Sequence, residues 1–126
     1  MKQLLFLWID DMQNWALSAQ QNLKLIAPKY EVELHIVSAV NGEEIVQQCM
    51  MYNFAAIIMD YHMEPFNGDK YIRDIRQEQH LDDIPIFFYS QDNSTDIGKL
   101  VSGIRNVTTI YRPNLEDKIR ELFFIK

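Results

Sequence analysis

Five short apolar runs, each closed by polar residues and separated from the next by a longer stretch, constrain this chain more than any other feature. Positions 4–9, 32–37, 54–59, 84–89 and 107–111 are brief and rich in β-branched or aromatic side chains, and they read as strands. Between the last two, Ile97, Leu100, Val101 and Ile104 recur at i, i+3, i+4 and i+7, the spacing of one helix face. Trp15, Ala19, Leu23 and Ile26 make a second stripe, and Ile45, Val46, Cys49 and Asn53 a weaker third. Leu115, Ile119, Leu122 and Phe123 make the last. Five strand–helix units in succession predict a parallel α/β sheet covered by helices on both faces.

The strands differ in a way that orders them. The first, third and fourth are apolar on both faces, as central strands are. The second alternates, with Glu33 and His35 facing away from Val32, Leu34 and Ile36, and the fifth carries Thr108 and Thr109. These two therefore belong at the edges. A flavodoxin-like, doubly wound (βα)5 sheet in the order 2-1-3-4-5 satisfies this pattern, another permutation of the same sheet being the alternative.

Composition narrows the function classes. A chain of 126 residues, 48% hydrophobic, suits one domain over 1–126 with a core that needs no staples. A formal charge of −6 and the lack of a basic stripe argue against a nucleic-acid partner. No apolar run approaches the roughly 20 residues of a bilayer span. The opening run ends at Asp10-Asp11 rather than at a small-residue cleavage site, so it is read as a strand and not a signal peptide. Cys49 is the only cysteine, which suits a reducing compartment, the cytoplasm by default.

In an open α/β sheet, ligands bind beyond the carboxyl ends of the strands, where the strand order reverses. The residues that close the strands are Asp10-Asp11, Asp60, Ser90 and Arg112. For Asp10 or Asp11 alone, capping of the next helix is the simpler account. Asp60 is different, because a loop from Tyr61 to Gly68 follows it before the next helix. Three carboxylates at one sheet edge repel one another and call for a cation, and all-oxygen ligands favour Mg²⁺ over zinc. A carboxylate beside Mg²⁺ is a competent nucleophile toward phosphorus. Ser90 then supplies a hydrogen-bond donor, and Arg112 a two-pronged clamp for phosphoryl oxygens.

These residues resemble the response-regulator receiver family, the phosphoacceptor domains of two-component signalling. The likeness spans essentially the whole chain. An acidic pair closes the first strand, and Val40-Asn41-Gly42-Glu43-Glu44 opens the second helix in the family's manner. Met63 and Gly68 follow Asp60 at the family's spacing, Ser90 lies 30 residues after Asp60, and Arg112-Pro113 stands where the family has Lys-Pro. The resemblance implies that Asp60 is phosphorylated. It also implies that Asp11, Asp60 and the backbone carbonyl of His62 hold Mg²⁺, with Asp10 acting directly or through water. Ser90 would swing toward the phosphoryl group and shift the fourth helix and fifth strand to present a protein-binding face. The expected donor is a sensor histidine kinase or a phosphotransfer protein.

The chain departs from the family at several positions. Arg112 replaces the lysine, and Thr109 takes the place of the switch aromatic, with Tyr111 two residues further on. Glu64 separates Met63 from Pro65, and Gln91 fills a position usually held by a small residue. Phosphorylation is therefore expected without a conventional aromatic switch. The competing expectation is a phosphorylation-independent binding module, a pseudo-receiver. A Mg²⁺-dependent phosphatase is disfavoured, because Asp10-Asp11-Met12 lacks a second acid two residues after a nucleophile. The domain is thus expected to be a switch and not an enzyme in its own right; a chain complete at Lys126 is expected to act through protein contact, whereas one cut from a longer regulator would carry its output elsewhere.

The remaining conspicuous residues have plainer expectations. His62 is read as a loop histidine near Asp60, and His35 and His80 as surface residues. Cys49, Met50 and Met51 are read as packing, and Trp8 and Trp15 as core or its rim. Phe124 or Ile125 is expected to protrude and cover a partner surface, either the mate in a homodimer or a neighbouring domain.

Overall fold

The computed structural model describes residues 1–125 apart from positions 12, 40, 41, 43, 44, 64 and 92–94; the expected opening of the second helix at Val40–Glu44 lies largely outside them. Five parallel strands form one sheet in the order β2-β1-β3-β4-β5, the order read from the edge polarity. They are β1 (Lys2–Ile9), β2 (Val32–Ala39), β3 (Ala56–Asp60), β4 (Ile86–Ser90) and β5 (Val107–Tyr111). The helices are α1 (Gln13–Ile26), α2 (Ile45–Met51), α3 (Gly68–Arg76), α4 (Ile97–Leu100) and α5 (Leu115–Ile119). β3 and β4 each begin two residues later than the apolar runs suggest, since Phe54 and Ile84 pack in the approach to the sheet.

Alternation along the strands splits the core in two. Phe6, Trp8, Ile58, Phe87 and Tyr89 face α1 and α5, burying Leu23, Leu115 and Ile119. Leu7, Ile9, Ile57, Met59 and Phe88 face α2, α3 and α4, burying Cys49, Ile72, Ile75 and Ile97. The edges are as polar as expected: Glu33 and His35 on β2 and Thr108 and Thr109 on β5 are exposed. Burial pushes the Cys49 thiol up to about 11, which suits an inert core residue.

The amino-terminal edge is tied by one side chain. Arg76, at the end of α3, donates to the carbonyls of Leu81 (2.8 Å), Ile84 (2.6 Å), Arg105 (2.9 Å) and Asn106 (3.0 Å). One guanidinium thereby joins the turn before β4 to the turn before β5.

Three expectations are corrected. α4 is a single turn capped by Asp96, whose Oδ1 accepts from the Lys99 N–H, and the chain leaves the helix at Val101 and turns through Gly103 at φ +81°. Val101 is nevertheless buried and Ile104 packs against the core, so the stripe marks packing beyond the helix that was expected to carry it. Met50 and Met51 are exposed rather than packed, because the inward face of α2 is occupied by Ile45 and Cys49. Phe124 is buried, at 2% exposure, and does not protrude.

The last correction has a clear cause. After α5 the backbone widens into a π turn over Arg120–Phe124, and the Ile125 N–H reaches the Arg120 carbonyl at 3.0 Å. The extra residue per turn rotates Leu122 outward and swings Phe123 and Phe124 toward the sheet. Phe123 meets Phe6 and Phe87 edge-on, and Phe124 stacks on Tyr30. This removes Phe124 as a basis for self-association, while Ile125 stays exposed. Phe124→Ala is expected to lower stability by about 3 kcal/mol or more, and Leu122→Ala by under about 0.5 kcal/mol, as read by urea unfolding.

Candidate functional site

The register of the central strands gathers the acids. Ile9 lies opposite Met59 across the β1–β3 pair, so Asp10 follows β1 at the level where Asp60 ends β3. The Asp10 N–H donates to the Ala39 carbonyl, holding the end of β1 against β2 as well. Carboxylate oxygens of Asp10, Asp11 and Asp60 lie within 4.8 Å of one another, Asp10 and Asp60 buried and Asp11 exposed. The three metal-site aspartates proposed from the sequence are therefore brought together.

Their crowding has an electrostatic consequence. Asp60 is pushed from its ordinary 3.8 up to about 8, first by burial and then by the charges of Asp10 and Asp11. Hydrogen bonds from the backbone N–H groups of His62 and Tyr61 pull the other way. The set offers carboxylate oxygens and neither a thiolate nor an imidazole, and its mutual repulsion is what a hard divalent cation relieves. These residues fit Mg²⁺.

Local structure shapes the floor of the site. Gly68 opens α3 with its N–H on the Tyr61 carbonyl at 2.9 Å, and a Cβ there would sit 2.2 Å from the Asp60 carbonyl oxygen. Only glycine lets the start of α3 press this closely on the end of β3. The loop between them carries His62 with its side chain exposed and its ring edge-on to Tyr61.

Ser90 is the last residue of β4 and is buried. Beside it opens a pocket of about 410 Å³ walled by Thr95, Asp96, Gly98, Thr109 and Tyr111. Thr109 and Tyr111 both line this pocket, as alternation along β5 requires, and Tyr111 is 40% exposed. Arg112 directly follows β5. Its guanidinium carbon lies 4.7 Å from the centre of the Trp15 ring, and its Nη1 donates to Gln91 Oε1 at 3.3 Å. Gln91 thus touches the basic residue of the site.

A group not foreseen from the sequence stands behind the acids. The Trp8 indole N–H donates to the Tyr89 hydroxyl at 3.1 Å, and that hydroxyl donates to Asp10 Oδ2. Trp15 packs against both Trp8 and Tyr89. The available signal was Tyr89 itself, an aromatic with a polar tip inside a wholly apolar strand, together with Trp8 two residues before Asp10 on the same face.

No family model matches this chain, and no curated protein does either. Solved structures do. The chemotaxis response regulator CheY4 of Vibrio cholerae is 15% identical, with a TM-score of 0.76 and 95% of each chain covered. The receiver domain of a DNA-binding response regulator from Colwellia psychrerythraea is 18% identical, with a TM-score of 0.75 and coverage of 94% of this chain and 97% of that one. A two-component response regulator from Clostridium difficile is 17% identical, with a TM-score of 0.69 and coverage of 94% and 93%. The chain therefore has the receiver-domain fold, the one its strand-end residues suggest.

The raised Asp60 carboxyl links site and stability. Between pH 4 and pH 8 the folded chain holds a proton on Asp60 that the unfolded chain has released, so stability falls as pH rises through that window. Asp60→Asn removes this penalty. In metal-free buffer the variant is expected to unfold at a higher temperature than the parent at pH 8, and the gap to close toward pH 4; melting curves across the range check this.

Proposed function

We propose that the domain is a cytoplasmic two-component receiver in which Asp60 accepts a phosphoryl group from a phosphohistidine of a sensor kinase or phosphotransfer protein. The observation that carries this reading is the cluster of Asp10, Asp11 and Asp60 at the carboxyl edge of a sheet with the receiver fold. A carboxylate oxygen of ionised Asp60 attacks phosphorus, the P–N bond breaks, and the imidazole leaves with the bonding pair. Mg²⁺, held by Asp10, Asp11, Asp60 and the backbone carbonyl of His62, would supply charge neutralisation of the phosphoryl oxygens and of the carboxylates themselves.

The chain's own residues supply the rest. Ser90 donates to one phosphoryl oxygen, and Arg112 clamps others with its planar fork. Docking of Ser90 draws on the pocket between β4, α4 and β5, and the α4–β5–α5 face presents the outcome to a downstream protein. Thr109 brings no aromatic ring to this face, and the ring that lines the pocket belongs to Tyr111, two residues further on.

Intact mass after incubation with acetyl phosphate and Mg²⁺ tests this. One phosphoryl addition is expected, and none in Asp60→Asn. Saturating Mg²⁺ is also expected to raise the melting temperature at pH 8, by about 2.7 kcal/mol of added stability at one hundred times its Kd, and to do so far less in Asp60→Asn.

One observation favours a second reading, the pseudo-receiver. Arg112 rests on Trp15 and bonds Gln91, an arrangement that gives this cation a packing role of its own. A folded chain that binds Mg²⁺ and gains no phosphoryl mass would make that reading the correct one.

A further inference from the structure

We propose that Tyr89 is a positioning residue for the acidic site, its hydroxyl fixing one carboxylate oxygen of Asp10 and so presenting Asp10 to a divalent cation. This rests on the reading above that Asp10, Asp11 and Asp60 hold such a cation.

The direction of the hydrogen-bond chain follows from donor chemistry. An indole N–H can only donate, so the Tyr89 oxygen accepts from Trp8 Nε1 at 3.1 Å. The phenol has one proton, and it goes to Asp10 Oδ2. All three side chains are buried, Trp8 and Tyr89 at 0% and Asp10 at 1% exposure. Accepting from Trp8 also polarises the hydroxyl and strengthens its bond to the carboxylate.

Tyr89 is in turn held from every side. On the sheet it lies opposite Asp60 of β3 and Ile110 of β5, and its carbonyl accepts from the Tyr61 N–H at 2.9 Å. Its ring meets Trp8 at 68° and Trp15 at 46°, with centroids 6.5 and 5.4 Å away. A hydroxyl on so rigid a ring has one place to go, and that place is an oxygen of a proposed cation ligand. Partners of this kind orient a ligand and lower the cost of ordering it when the cation arrives.

The role separates from simple core packing by double substitution. Tyr89→Phe removes the hydroxyl and leaves the Trp8 indole N–H without its partner, so it loses stability as well as the bond to Asp10. The pair Trp8→Phe/Tyr89→Phe removes both groups and with them the orphaned donor. Mn²⁺ is the probe, titrated calorimetrically against the full chain, with urea unfolding of each variant alongside. Tyr89→Phe is expected to bind Mn²⁺ about tenfold more weakly, and the double variant to stay as weak although it carries no orphaned donor. Trp8→Phe, which keeps the Tyr89–Asp10 bond, is expected to lose less than either. Parent-like affinity in Tyr89→Phe, or its return in the double variant, overturns the inference and leaves the cation reading standing. A parent chain that binds no Mn²⁺ overturns both.

Discussion

The pairing of β1 with β3 is the contact on which the rest of this molecule turns. Both strands are apolar on both faces, so their register is set by burial. A slip of one residue would send Trp8 and Ile9 to the wrong sides of the sheet. The same register obliges Asp10 and Asp60 to end their strands side by side. The crowding of negative charge is therefore a consequence of core packing that the fold imposes, and the raised proton affinity of Asp60 follows first from its burial and then from that crowding.

Much of this could be read from the residues. Edge strands announce themselves by Glu33, His35, Thr108 and Thr109, and central strands by their lack of polar positions, which is enough to order the sheet. Strand ends then point to Asp10, Asp11, Asp60, Ser90 and Arg112, because topology alone places them along one rim. What stayed hidden has physical reasons. The π turn over Arg120–Phe124 changes the helical period, and a constant period assigned Phe124 to the wrong side. The stripe through Ile104 reports burial faithfully, but it cannot tell a helix from a turn that packs. The Trp8–Tyr89–Asp10 chain joins residues some 80 positions apart, and no local pattern encodes such a meeting.

The acidic and basic sides of the site share one aromatic backing. Trp15 carries the Arg112 guanidinium on its ring and touches Tyr89, whose hydroxyl holds Asp10. Opposite charges are thus placed around one aromatic cluster. An arginine at position 112 suits this setting, since a flat, weakly hydrated cation stacks on an indole where a compact ammonium would seek water.

Arg76 gives the molecule a closed end. Its four carbonyl partners come from the turns that launch β4 and β5, so those strands enter the sheet from a single anchored point. A lysine, with its donors radiating from one atom, could not span them. Loss of that one guanidinium would therefore take a donor from both turns at once.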